Sequence, residues 1–142
     1  MAQTGPRKIL ERAGVEGGHP IKADSPPIHE GAIVLLASGE AIPGREGQGA
    51  DDAAKADDAA NLVAVGIAKK SVTVADGVVP TRSGAFLFNN AAADPVTRAE
   101  IGKPCFVLDD ETVAKTNPAN TRAQAGTVVD VESVGVWVRV GV

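Results

Sequence analysis

Very few side chains in this 142-residue chain are of the types that make or break covalent bonds. One thiol, Cys105, and two imidazoles, His19 and His29, are its only soft nucleophile and its only neutral nitrogen bases. A nucleophile needs a base within hydrogen-bond reach and a third group to orient that base. Both histidines fall in or beside a Gly- and Pro-rich N-terminal stretch, a poor platform for so exact a geometry. Cys105 sits within an apolar run beside Phe106 and Val107, where a small buried hydrophobe is the expected role. One Cys and two His at these separations match no usual zinc pattern.

Carboxylates are more plentiful, and each group has a solvated reading beside a chemical one. Asp51, Asp52, Asp57 and Asp58 could surround a cation. A calcium loop, however, alternates its ligands and closes on a Glu, and neither feature is present. Asp109, Asp110 and Glu111 could act as acid and base. Adjacent acids at a strand end usually form a wet turn, and no aromatic cluster surrounds them to hold a sugar. The run from Gly44 to Gly49 is glycine-rich, but it lacks the Lys-Ser/Thr ending of a phosphate loop and is followed by acids. The chain offers no catalytic, cofactor-binding or metal-ligating set. Its residues point to a binding or structural protein, not an enzyme, with no cofactor.

Composition narrows the partners. The net charge is -4, and only 3% of residues are aromatic. Nucleic-acid binders want basic stripes and stacking rings, so that partner is not expected. A single cysteine allows no internal disulfide. The N-terminal MAQTGPRKIL lacks the apolar core of a signal peptide, and no apolar run is long enough to cross a bilayer. The expectation is a protein made and used in soluble form, away from membranes.

The elements that would have to position any site are short strands. Gly126 to Val140 reads as a hairpin: Thr127, Val129 and Val131 share a face, with Val128 and Asp130 opposite. After a turn at Glu132, Ser133 and Gly135, the residues Val134, Val136, Val138 and Val140 share one face, and Trp137 and Arg139 the other. Gly31 to Leu36 reads as a strand buried on both faces, and Ser38-Gly39 as a turn. Leu62 to Val74 reads as two strands or one bent strand, with Gly66 at a bulge. Phe86 and Phe88 share a core face. Asp94 to Gly102 carries the strongest helix pattern, with Asp as cap, Pro at the first position and Gly at the stop. Asp51 to Ala60 is an optional helix without an apolar stripe to dock it. The sum is a mainly β chain, a small β-sandwich or barrel of short antiparallel strands with one short helix. Residues 1–28 read as an extended N-terminal arm and 29–142 as the β-rich domain.

The ordered pieces Val63–Ala68, Gly84–Phe88, Ile101–Val113, Ala125–Val131 and Gly135–Val138 resemble the head decoration, or structural cement, proteins of tailed bacteriophages. The similarity runs from about His29 to Val140, and the Gly-Lys-Pro-Cys and Val-Trp-Val pieces are its most specific parts. The resemblance implies a small β-domain on the outer surface of an assembled head. Its partners would be the major capsid protein and further copies of itself, a trimer favoured over a dimer. It would be made in the host bacterial cytoplasm and carry no catalytic residues. The competing reading is a β-rich host-surface or carbohydrate-binding module displayed on a virion, which would want exposed aromatics. In either case Ile9, Leu10, Val15 and Ile21 of the arm, together with Trp137, are the candidate contacts to a capsid or a neighbouring subunit.

Overall fold

A computed structural model describes residues 16–141. The chain there is mainly β, with ten strands among the described residues and one α-helix. The strands are β1 (Glu16–Pro20), β2 (Ile33–Ala37), β3 (Glu40–Pro43), β4 (Leu62–Ala68), β5 (Val78–Arg82), β6 (Gly84–Asn90), β7 (Pro104–Val107), β8 (Thr112–Ala114), β9 (Gln124–Glu132) and β10 (Gly135–Val140). They form an open five-stranded sheet in the order β1-β5-β4-β2-β3 and a closed barrel in the order β10-β6-β8-β7-β9. All pairings are antiparallel except a short parallel one between β6 and β8. β5 and β6 are separated only by Ser83, so nearly continuous extended chain passes from the sheet into the barrel.

Two cores result. Ile33, Leu35, Ile42 and Leu62 of the sheet meet Phe88, Val107, Val113, Val128, Val136 and Val138 of the barrel in the larger one. The other face of the sheet supplies the second, through Val34, Ala41, Ala68 and Val79. β2 is therefore a shared wall: Ile33 and Leu35 point one way, Val34 the other, and all three are fully buried. This is the physical meaning of its unbroken apolar run.

The lid of the second core corrects the reading of the first 28 residues as an arm. β1 pairs along its length with β5, from Glu16 opposite Arg82 to Pro20 opposite Val78. The chain then crosses to the far side of the sheet. Ile21 N–H donates to the Gly77 carbonyl (2.9 Å), and Ile28 and Val72 exchange backbone hydrogen bonds (2.9 and 2.8 Å). Ile21 and Ile28 are buried in the second core. The sequence EGGHP shows no alternation because the side chains of β1 are largely exposed; an edge strand takes its order from its neighbour's backbone. The body thus begins by Glu16, and of the expected arm residues 1–15 lie outside the described residues.

The helix assignment is also corrected. Asp94 to Gly102 holds no α-helix; it contains a single 3-10 turn, Arg98–Glu100, capped reciprocally by Thr97 and Glu100. Asp94 does not cap it. Its carboxylate accepts from Thr116 and Arg122 instead. The α-helix α1 is Asp52–Ala60, where Asp51 Oδ1 accepts from the Ala54 N–H (2.9 Å). It buries little beyond Ala59 and is held by polar tethers: Asp58 accepts from Arg45 and from the Gln48 N–H (2.9 Å). An apolar stripe was not needed because these charge-assisted bonds dock it.

Two local expectations hold. Ser38 and Gly39 take φ 50° and 88° at the β2–β3 hairpin, the left-handed pair of a primed turn. Gly66 has φ 149° beside a shift of register between β2 and β4, and a Cβ there would stand 2.3 Å from the Arg82 carbonyl oxygen. Val134 departs from expectation: it lies in the β9–β10 turn and is 67% exposed.

Candidate functional site

The barrel closes through the β9–β10 hairpin, and this hairpin carries the outer surface of most interest. Inward-facing Val136 and Val138 are opposite Phe88 and Phe86 of β6 and opposite Val131 and Val128 of β9. Between Asp130 and Val128 the pairing slips by one residue, and Val129 is the extra one. The slip lets both Val128 and Val131 reach the core, which strict alternation would forbid, and it leaves Val129 39% exposed.

On the outward side Trp137 is opposite Leu87 of β6 and Asp130 of β9, and Arg139 is opposite Ala85 and Thr127. Leu87 is 40% exposed and Trp137 is half-buried. The indole therefore lies on the barrel's outer face, not in its core. Arg98 reaches the same face and pairs with Asp130 (2.9 Å).

The other expected contacts separate. Ile21 is taken up by its own chain, in the second core, so it is withdrawn as a contact to a partner. Ile9, Leu10 and Val15 lie outside the described residues. Ile21 and Trp137 thus do not share one surface.

A cleft of about 730 Å³ opens where sheet and barrel diverge; Gly17, His19, Val63, Gln124 and Arg139 are among its lining residues. Sequence reasoning missed it, since its walls come from β1, β4, β9 and β10 and no local pattern joins them. Among the described residues no Trp, Tyr or Phe lines it, and the one carboxylate in that lining, Glu16, is held by Lys69 (3.0 Å) and Arg82 (3.6 Å). A sugar site would offer an indole, phenol or phenyl ring to stack on, and a hydrolytic site a second carboxylate; the described lining has neither.

The residues considered for chemistry are dispersed. Cys105 is fully buried, and burial pushes its thiol up to about 12, which leaves it protonated and inert at neutral pH. Asp109 accepts from the Glu111 N–H (2.9 Å), a tight polar turn. Among the described residues no three His, Cys, Asp or Glu side chains are grouped to hold a metal ion.

A separate polar network ties the loops at one end of the molecule. Arg122, whose side chain is 12% exposed, donates to Glu46 and to Asp94 (3.0 Å each) and to the Thr116 carbonyl (3.0 Å). Its own N–H donates to Asn117 (2.8 Å). The Asp94 carboxyl is held below its ordinary pKa, first by the Thr116 hydroxyl and then by the Thr116 N–H and Arg122. No buried side-chain polar atom among the described residues lacks a hydrogen-bond partner, so the network reads as a structural clamp.

No protein-family profile, curated protein or solved structure matches this chain.

Proposed function

We propose that this chain is a structural cement protein of a tailed-bacteriophage head. In this reading it binds the outer surface of the assembled shell, bridges capsid subunits and associates with further copies of itself. The observation that carries the reading is where the resembling segments fall. Val63–Ala68 coincides with β4, Gly84–Phe88 with β6, Ile101–Val113 with β7 and the start of β8, and the last two with β9 and β10. These strands supply most of the larger core, including Phe88, Cys105, Val107, Val113, Val128, Val136 and Val138. The likeness therefore follows the frame of the fold, together with the loops on either side of β7. A rigid β-body with well-filled cores suits a part that must resist mechanical load without moving, and an acidic exterior keeps decorated particles dispersed. The alternative of a carbohydrate-binding module gains nothing from the cleft, whose described lining holds no Trp, Tyr or Phe.

The test is direct. Purified protein is titrated onto undecorated heads assembled from the major capsid protein of the same genome, and the washed particles are imaged by electron cryomicroscopy and heated. Saturable density at defined lattice positions and a higher disruption temperature are expected. Particles that wash clean and break at an unchanged temperature would refute the reading.

A further inference from the structure

The outer face of β6, β10 and β9 has an unusual layout for a surface in contact only with water. Trp137 stands at its centre, with Leu87 opposite it on β6 and, on β9, Asp130 opposite it next to the bulged Val129; Asp130 is neutralised by Arg98. Leu87 and Val129 are 40% and 39% exposed, and the indole is partly buried. Contiguous exposed apolar groups around a Trp mark contact surfaces more than ordinary solvent faces. Beyond that internal ion pair, a further charge stands at each end of this centre. Arg139 follows Trp137 by two residues on the same side of β10, and Glu132 lies on β9 opposite Gly135, which precedes it by two. At about 3.4 Å per residue each charge is roughly 7 Å along the strands from the indole, in opposite directions.

Neither charge has an ion-pair partner among the described residues. Arg45, Arg82, Arg98 and Arg122 all have carboxylate partners, whereas Arg139 has none among the described residues, and neither has Glu132. An apolar centre with an unpaired cation at one end and an unpaired anion at the other is complementary to itself. We propose that a second copy of this chain packs on this face, about a two-fold axis that lies in the plane of contact and crosses the strands at the level of Trp137. That operation reverses the strand direction. It brings indole onto indole, and Arg139 of each copy onto Glu132 of the other. A partner surface of one sign would satisfy only one end. The interface is isologous, so it makes pairs and cannot by itself close a three-membered ring. The inference is independent of capsid binding, since it concerns the free protein.

Sedimentation equilibrium and native mass spectrometry on the full chain, from micromolar to millimolar concentration, test it. The wild type is expected to pass from monomer to dimer, with tryptophan emission shifting to the blue as the dimer forms. R139E alone and E132R alone each set like charges against each other twice per dimer, and each is expected to raise the dissociation constant by about ten-fold or more. The double variant R139E/E132R restores opposite charges and is expected to return to within about three-fold of wild type. Circular dichroism checks that each variant keeps the native β spectrum, which both exposed positions should permit. W137A, leaving the charges in place, is expected to abolish the dimer. A wild type that stays monomeric, forms a trimer, or is indifferent to both single substitutions overturns the proposal. So does a natively folded double variant that fails to regain the dimer.

Discussion

At the scale of single residues, the one thiol is a side chain that the fold makes unavailable for chemistry. Cys105 lies on β7 opposite Gly126 and faces the larger core, where desolvation disfavours the thiolate. The native protein should therefore resist an aromatic disulfide reagent at pH 8 and react fully once unfolded in denaturant. A thiol titrating within seconds in the native protein would contradict this burial. Ile21 makes the complementary case. As a contact to another subunit its removal would weaken assembly and leave the monomer intact; in the second core it supports the monomer itself. Ile21→Ala should destabilise the isolated chain by about 2–5 kcal/mol, as large-to-small core substitutions do. Chemical denaturation of dilute protein, where no oligomer persists, separates the two roles. An unchanged midpoint would return Ile21 to the surface.

At the scale of elements, β1 decides where the body starts. Its backbone completes the edge of β5, and the segment that follows it covers the second core. Deleting residues 2–15 should leave the β circular-dichroism spectrum and the melting temperature close to those of the full chain. Extending the deletion through residue 21 removes both β1 and Ile21, and should lower the melting temperature well beyond the shorter deletion. Equal melting of the two truncations would mean that β1 adds nothing to the fold. The helix makes the same point from the other side. α1 forms without an apolar stripe because Asp51 satisfies its first turn and Asp58 anchors it to Arg45 and Gln48. The Asp94 to Gly102 segment has the better helix sequence, yet Asp94 is drawn off to Thr116 and Arg122, and Asn90 takes both polar groups of the Val96 backbone (2.8 Å each).

At the scale of the whole molecule, the clamp around Arg122 joins loops far apart in sequence, from Glu46 to Asn117. It also sets the response to acid. Asp94 is held below its ordinary pKa by Thr116 and Arg122, and Asp58 chiefly by Arg45. A carboxyl with a lowered folded-state pKa is protonated first in the unfolded chain as pH falls. Its contribution is complete above the unfolded value, about 3.9 for Asp, and is lost as pH drops through the folded value. Melting temperature should therefore be nearly flat from pH 7 to about 5 and fall progressively below about 4, and Asp94→Asn should flatten that fall while lowering stability at neutral pH. An acid limb identical in the variant would remove Asp94 from the account. Assembly belongs to this scale too. The resemblance implies a trimer, whereas the face around Trp137 is built for pairing by two-fold symmetry, and the sedimentation experiment decides between them.

The sequence by itself determined the class of fold and the position of most strands. Alternation of β-branched residues, the Ser38-Gly39 turn and the glycine at 66 all act between near neighbours, and such signals are local. It also placed Cys105 in the interior. The tertiary structure decided what depends on remote partners. β1 exists because β5 offers an edge; Ile21 is core because Val34 and Ala41 lie beneath it; the shift of register at Val129 lets Val128 and Val131 both point in and leaves Val129 exposed. The face around Trp137 is the sum of three strands, β6, β9 and β10, brought side by side by closure of the barrel. Its paired arrangement of Arg139 and Glu132 arises from a pairing register, a quantity set by backbone hydrogen bonds across strands and by no single stretch of chain.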